Sequence, residues 1–94
     1  MIVRLVKMTF KPEHVDEFVS TFIEHKDAIA SFPGCSFLEL VRETEGSTVF
    51  FTHSHWDKQS SLDAYRDSAL FKKVWEMTVP LFKEKPEAWS TERI

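Results

Sequence analysis

The sequence predicts an α+β fold with the element order β-α-β-β-α-β. Apolar residues recur with period two, typical of strands, in three clear segments and a weaker fourth, and with a period near 3.6, typical of helices, between them. The 94 residues are enough for one domain, so residues 1–94 are predicted to form a single unit. Hydrophobic residues make up 43% of the chain and include nine Phe, so either the core is dense or another subunit covers part of the surface.

The first strand is predicted from Ile2 to Phe10. Apolar side chains occur on both of its faces, which is unlike a strand in a sheet with one solvated side. Arg4 lies among apolar neighbours, so it needs a partner if it is buried. Glu39 and Glu92 are the candidate carboxylates.

A helix is predicted after Pro12, because proline suits the first helical turn, where its missing N–H costs nothing. Its apolar stripe includes Phe18 and Phe22, which are expected in the core and could also line a cavity. The helix should end before Pro33-Gly34, a pair typical of a stop and turn.

Cys35 to Glu43 and Thr48 to Trp56 are predicted as the second and third strands. The polar link between them contains a glycine, which favours an antiparallel hairpin. On the second strand, alternation places Cys35 on the same face as Phe37.

The third strand divides the candidate site residues between two faces. His53 and His55 are two residues apart and therefore project on the same face, together with Phe51. Trp56 projects on the opposite face and could share a pocket with the histidines only if a bulge turned it.

Helical character is expected to begin at Asp57 or within Ser60-Ser61, with a short turn that carries Tyr65. Asp67 or Ser68 can cap a longer helix.

Phe71 and Trp75 lie on the apolar stripe of that longer helix. Pro80 is expected to kink or end it. Ala88 to Ile94, just after Pro86, is predicted as a fourth strand at the sheet edge.

This order of elements is the ferredoxin-like arrangement, in which a four-stranded antiparallel sheet carries both helices on one face. The other face would then be bare, although at least two of its strands carry apolar residues there. A second copy of the chain is the simplest cover for such a surface, so a homodimer is expected.

Several functional classes are excluded by composition. The net charge is −3, the chain has no basic run, and nucleic acid binding would need one. The single Cys35 rules out an internal disulfide and a cysteine-based zinc cluster, and it fits a reducing cytoplasm. Arg4 and Lys7 interrupt the N-terminal apolar stretch, unlike a signal peptide, and no apolar run approaches the roughly 20 residues of a membrane span.

The sequence resembles the antibiotic biosynthesis monooxygenase family of the dimeric α+β barrel superfamily. The resemblance rests on the turn Phe32 to Cys35 and on Trp56-Asp57 followed by Ser60, Ala64-Tyr65, Ser68 and Phe71. It implies a homodimer whose two sheets close face to face into a barrel, with a small pocket between the sheet and the helices of each protomer. It also implies a monooxygenase that acts on a small aromatic or quinol-like molecule without a metal or flavin cofactor.

The expected site combines this resemblance with the chemistry of the residues. His53 or His55 could act as a base near neutral pH, and Tyr65 could donate a hydrogen bond. The two histidines could instead bind a metal with Glu39, or be structural strand residues. The expected substrate-binding residues are apolar or aromatic: Phe18, Phe22, Phe51, Trp56, Phe71 and Trp75.

Two alternatives stay open. One is a non-enzymatic, small-ligand-binding or stress-related protein with the same fold. The other is haem degradation, whose pattern within the family resembles an Asn on the first strand, a Trp near the start of the last helix and a His about ten residues further on. This chain has no Asn, and Tyr65 and Trp75 stand at the other two positions, so haem degradation is disfavoured.

Overall fold

The computed structural model describes every residue from Met1 to Ile94. The strands are β1 (Ile2–Thr9), β2 (Cys35–Arg42), β3 (Val49–Trp56) and β4 (Glu87–Glu92), and the helices are α1 (Val15–Ala30), α2 (Gln59–Arg66) and α3 (Ala69–Thr78). Short 3₁₀ turns cover Pro12–His14 and Val79–Leu81. The predicted α+β order is confirmed, with the second helical region divided into two helices. None of the helices has the length and apolar character needed to cross a membrane.

The helix ends follow the signals in the sequence. Pro12 begins the 3₁₀ turn that leads into α1. Ser68 caps α3, because its Oγ accepts a hydrogen bond from the backbone N–H of Phe71 at 3.1 Å. Asp67 instead follows the last residue of α2. Pro80 falls in the 3₁₀ turn after α3, where its missing N–H breaks no helical hydrogen bond.

The sheet has the strand order β2-β3-β1-β4, and every neighbouring pair is antiparallel. Even-numbered residues of β1 and β3 face the helices, and we name this side of the sheet the covered face. The opposite side is the open face, and its residues in register are Phe37, His55, Val3 and Thr91, then Glu39, His53, Leu5 and Trp89, then Val41, Phe51, Lys7 and Glu87. The ferredoxin-like arrangement predicted from the sequence is therefore confirmed.

The core lies between the covered face and the helices. One cluster of buried hydrophobic side chains there consists of Met8, Phe10, Phe18, Phe22, Phe50 and Leu81. The rings of Phe10 and Phe18 are stacked with their centroids 4.0 Å apart, and Phe50 meets Phe10 edge-on at 5.8 Å. Buried aromatic pairs of this kind add stabilisation beyond the area that they remove from water. Phe10 and Phe50 therefore hold β1 and β3 with their even-numbered residues under the helices.

A β-bulge changes one predicted face assignment. The register between β2 and β3 shifts between Cys35 and Phe37, so that Cys35 pairs with Trp56 and Phe37 pairs with His55. Simple alternation predicted that Cys35 and Phe37 share a face, and this is wrong because the extra residue reverses the phase. Cys35 consequently lies on the side of Trp56, near Tyr65, whereas Phe37 lies on the open face.

Gly34 should be the less replaceable of the two glycines. It has a φ of +93°, and a Cβ added there would lie 2.7 Å from Oδ1 of Asp57 and against Ser61. We expect Gly34→Ala to lower the free energy of unfolding by about 2–4 kcal/mol, through left-handed strain and overpacking.

Gly46 is the matched control. Its φ is +80°, but an added Cβ would meet nothing within 4 Å, so Gly46→Ala should cost only about 1–2 kcal/mol. Urea denaturation of both variants measures the difference. Equal losses would show that the contact of Gly34 with the start of α2 does not matter.

Candidate functional site

A cavity of about 340 Å³ lies between the covered face and the helices. This is within the range of small-molecule sites, roughly 300–1,000 Å³. Its lining is mainly apolar, and the aromatic members are Phe18, Phe22, Trp56, Tyr65, Phe71 and Trp75. Polar groups come from Arg4, Thr52, Ser54, Tyr65, Arg66 and Thr78. An apolar cavity with a few polar groups is the usual form of a site for a small organic ligand.

The aromatic side chains form a continuous wall. Trp56 and Tyr65 are stacked with centroids 5.0 Å apart, Phe71 meets Tyr65 edge-on at 5.2 Å, and Trp75 stacks on Phe71 at 5.7 Å. The break between α2 and α3 would separate Tyr65 from Trp75, but Phe71 bridges them. The structure thus brings together the predicted aromatic residues on these two helices and on the end of β3.

Tyr65 is the ionisable residue of the wall, and it is largely buried. Burial, with a smaller effect from Cys35, raises the pKa of its hydroxyl to about 12. Burial also raises the pKa of the Cys35 thiol. Both groups therefore stay neutral near pH 7, and Tyr65 is available as a hydrogen-bond donor rather than as a base.

Trp56 lies at the inner end of the wall and is 1% exposed. Its Nε1–H donates to Oγ of Ser54 at 3.0 Å, which satisfies the one polar group of the ring. It therefore packs the fold and lines the cavity at the same time.

His53, His55 and Phe51 lie on the open face and do not line the cavity. The structure does not bring them together with Tyr65, because β3 has no bulge between Phe51 and Trp56 that could turn them under the helices. The prediction that the histidines and Trp56 lie on opposite faces of the sheet is confirmed.

The histidines instead form a hydrogen-bonded row with Glu39. Nδ1 of His53 lies 3.1 Å from Oε1 of Glu39, and Nε2 of His53 lies 3.0 Å from Nε2 of His55. If Nδ1–H of His53 donates to the carboxylate, its Nε2 accepts from Nε2–H of a neutral His55. Phe37 packs against both imidazoles, with centroids 5.3 and 4.9 Å away. These residues do not belong to any group of three or more side chains arranged to hold a metal ion.

Arg4 and Arg66 are the charged residues of the cavity lining, and neither was assigned to the site from the sequence. Arg4 does not pair with either expected carboxylate, because Glu39 lies on the open face and Glu92 lies beyond 4.0 Å. Its Nη1–H donates to Oγ of Ser90 at 3.0 Å. The sequence signal for Arg4 was an arginine among apolar neighbours on a predicted strand, although the sequence did not show which face of the sheet it lies on.

Comparison with known proteins gives a consistent family match. The family model described as "Antibiotic biosynthesis monooxygenase" matches residues 1–76. No curated protein matches the sequence.

Solved structures match the fold over almost the whole chain. An antibiotic biosynthesis monooxygenase matches with a TM-score of 0.92 and 15% identity, over 100% of this chain and 99% of the other. A conserved protein from Methanosarcina mazei Go1 matches with a TM-score of 0.91 and 22% identity, over 100% and 94%. Rv0793 from Mycobacterium tuberculosis matches with a TM-score of 0.90 and 11% identity, over 99% and 94%.

The open-face histidine row should make stability depend on pH. Burial, together with the charges of His53 and Arg93, lowers the pKa of His55 below its ordinary 6.5, and Glu39 opposes this only in part. The unfolded chain then binds more protons than the folded chain just below pH 6.5. The contribution of neutral His55 is complete above pH 6.5 and is lost as the pH falls through its folded pKa.

We therefore expect the loss of unfolding free energy between pH 7 and pH 5 to be smaller in His55→Gln than in the original chain. Urea denaturation of both chains across this range tests it. An unchanged pH slope in His55→Gln would contradict the assignment.

Proposed function

The chain belongs to the antibiotic biosynthesis monooxygenase family, and on that premise we propose that it oxygenates a small, flat aromatic molecule with dioxygen and without a cofactor. The observation that carries the proposal is the aromatic wall from Trp56 to Trp75 beside a cavity of about 340 Å³. Aromatic rings arranged in this way favour a planar ligand that packs against their faces or edges.

A quinol- or anthrone-type substrate fits the chemistry of this cavity. Such a molecule loses a proton to give an electron-rich anion, which passes one electron to dioxygen. The two radicals combine to form a C–O bond, and protonation gives a hydroperoxide. Loss of water from the hydroperoxide leaves a carbonyl group, so one oxygen atom enters the product and the other leaves as water. The substrate itself supplies all the electrons.

The groups of the cavity can promote this reaction by stabilising the anion. Tyr65 stays protonated, because burial raises its pKa to about 12, and it can donate a hydrogen bond to the substrate oxygen. The Arg4 guanidinium supplies a positive charge in the same cavity. Donors and charges fixed where negative charge develops lower the barrier without costly rearrangement. The proton itself is released to water, since the lining includes no histidine or carboxylate.

A second candidate is a binding protein that takes the same aromatic molecules and does not transform them. The absence of a side-chain base from the cavity lining favours it. The two candidates share a ligand class and differ only in turnover, so one assay separates them.

We also propose a homodimer in the cytoplasm that is closed through the open face. Proteins of this family are commonly dimeric. The open face carries large side chains that no helix covers: Phe37 is 39% exposed, Val41 41% and Trp89 44%. A second copy would bury these side chains, and it would also enclose the Glu39–His53–His55 row.

Oxygen consumption tests the proposed reaction. Menadiol and an anthrone are the substrates, and we expect Tyr65→Phe to lower kcat/KM by about tenfold to a hundredfold, through loss of one hydrogen bond to the anion. With the anthrone, product analysis should find one atom of labelled dioxygen in the anthraquinone.

Variants of the open face make this test specific. His53→Gln and His55→Gln should each stay within about twofold of the original chain, because their imidazoles lie across the sheet from the cavity. A large loss of kcat/KM in either variant would support the histidine base expected from the sequence. No turnover by the unaltered chain across a panel of quinols would favour the binding protein.

Sedimentation at micromolar concentration tests the dimer. Leu5→Glu places a charge at the centre of the open face, next to His53 and Trp89 in register, and should convert the dimer to a monomer. Ile23→Glu is the matched control, since Ile23 lies on α1 and is 64% exposed. A monomer for the unaltered chain, or a dimer for Leu5→Glu, would contradict the proposed interface.

A further inference from the structure

The charge of the cavity lining is one-sided. Arg4 and Arg66 both line the cavity, and its lining includes no aspartate or glutamate. Neither arginine takes part in an ion pair, because the two pairs within 4.0 Å are His14–Glu17 and His53–Glu39. The cavity therefore presents two guanidinium groups to a bound molecule and no carboxylate that would repel an anion.

Arg4 has the greater need of an anionic partner, because it is the more buried of the two arginines. It is half-buried on the covered face, in register with Ser54 of β3 and Ser90 of β4. These neighbours offer hydroxyl groups, and Ser90 accepts one of the five N–H groups of Arg4. A partly buried cation with only neutral partners is costly, and an anionic ligand would remove that cost.

The position of Arg66 supports the same conclusion. It lies in the last turn of α2 and is exposed, so it stands at the outer part of the cavity. Burial of Arg4 lowers its pKa, and the charge of Arg66 lowers it further, since the two guanidinium groups repel each other. Asp63 and Asp67 line the outer surface near Arg66, but neither forms an ion pair with it.

The shape of the cavity limits what such an anion can be. The aromatic wall of Trp56, Tyr65 and Trp75 requires a flat apolar body. The guanidinium groups favour a planar carboxylate, which Arg binds through two parallel hydrogen bonds.

We infer that the ligand of this cavity is an aromatic carboxylate, with its ring against the wall and its carboxylate held by Arg4 and Arg66. The inference rests on the proposed use of the cavity as the substrate site and names the class of substrate. A neutral quinol would use only the wall and Tyr65 until it loses a proton, and it would offer the two arginines no permanent charge.

Calorimetry with 2-naphthoate and with uncharged 2-naphthalenemethanol tests the inference, since the two probes have the same ring system and differ in charge. The unaltered chain should bind the carboxylate at least tenfold more tightly. Arg4→Gln should weaken binding of the carboxylate by about tenfold to a hundredfold and should leave binding of the alcohol within about threefold. Arg66→Gln should show a smaller loss in the same direction, because its side chain is exposed.

Two further variants keep the test falsifiable. Lys72→Gln removes one positive charge from the exposed side of α3, outside the cavity lining, and should change neither affinity. Arg4→Lys keeps the charge but loses the paired hydrogen bonds, so an intermediate affinity is expected even if Arg4→Gln unfolds. Equal affinity of the unaltered chain for the two probes, or a preference that survives in Arg66→Gln and Arg4→Lys undiminished, would overturn the inference.

The binding test of the carboxylate inference can be distinguished from the turnover test of the proposed reaction. Tight, arginine-dependent binding of 2-naphthoate without turnover of any hydroxylated naphthoate would contradict the oxygenase and support the inference. Turnover of neutral quinols with no preference for binding a carboxylate would support the oxygenase and contradict the inference.

Discussion

The register between β1 and β3 is the constraint on which the other features of this protein depend. Arg4 pairs with Ser54, and Leu5 pairs with His53, so the arginine lies under the helices and the histidine lies on the open face. Because side chains alternate along a strand, a slip of one residue would exchange these two sets. Phe10 and Phe50 oppose such a slip, since it would move their buried rings out of the core. The packing that stabilises the sheet therefore also decides which polar groups meet in the cavity.

Local patterns in the sequence were enough for the strands, the hairpin and the separation of Trp56 from the histidines. Each depends on residues that are close together in the chain. The choice of covered face was beyond such patterns, because β1 and β3 carry apolar residues on both faces, and only the packing of α1 against Phe10 and Phe50 selects one. The bulge beside Cys35 was also beyond them, because it is defined by pairing with β3 rather than by β2 alone.

Helical spacing alone does not account for the aromatic wall. Tyr65 and Trp75 are ten residues apart and would align on one continuous helix, but the chain breaks at Asp67 and Ser68. The break is set by the Ser68 cap, and Phe71 then fills the space between the two rings. The polar side of the cavity has no such local signal, since Arg4 and Ser54 come from different strands and meet only through the sheet register.

The same division of faces sets the electrostatic character of the cavity. Glu39 contacts His53 on the open face, and because it lies across the sheet it is unavailable to Arg4. Burial opposes charge on Tyr65 and on Arg4 alike, so it keeps the tyrosine neutral while the arginine retains its charge at a cost. A negative charge that balances Arg4 must therefore come from outside the lining. Whether it is a substrate oxyanion formed during reaction or a permanent carboxylate, the anion stabilised in this cavity belongs to the ligand, which makes the ligand's own acidity part of the chemistry.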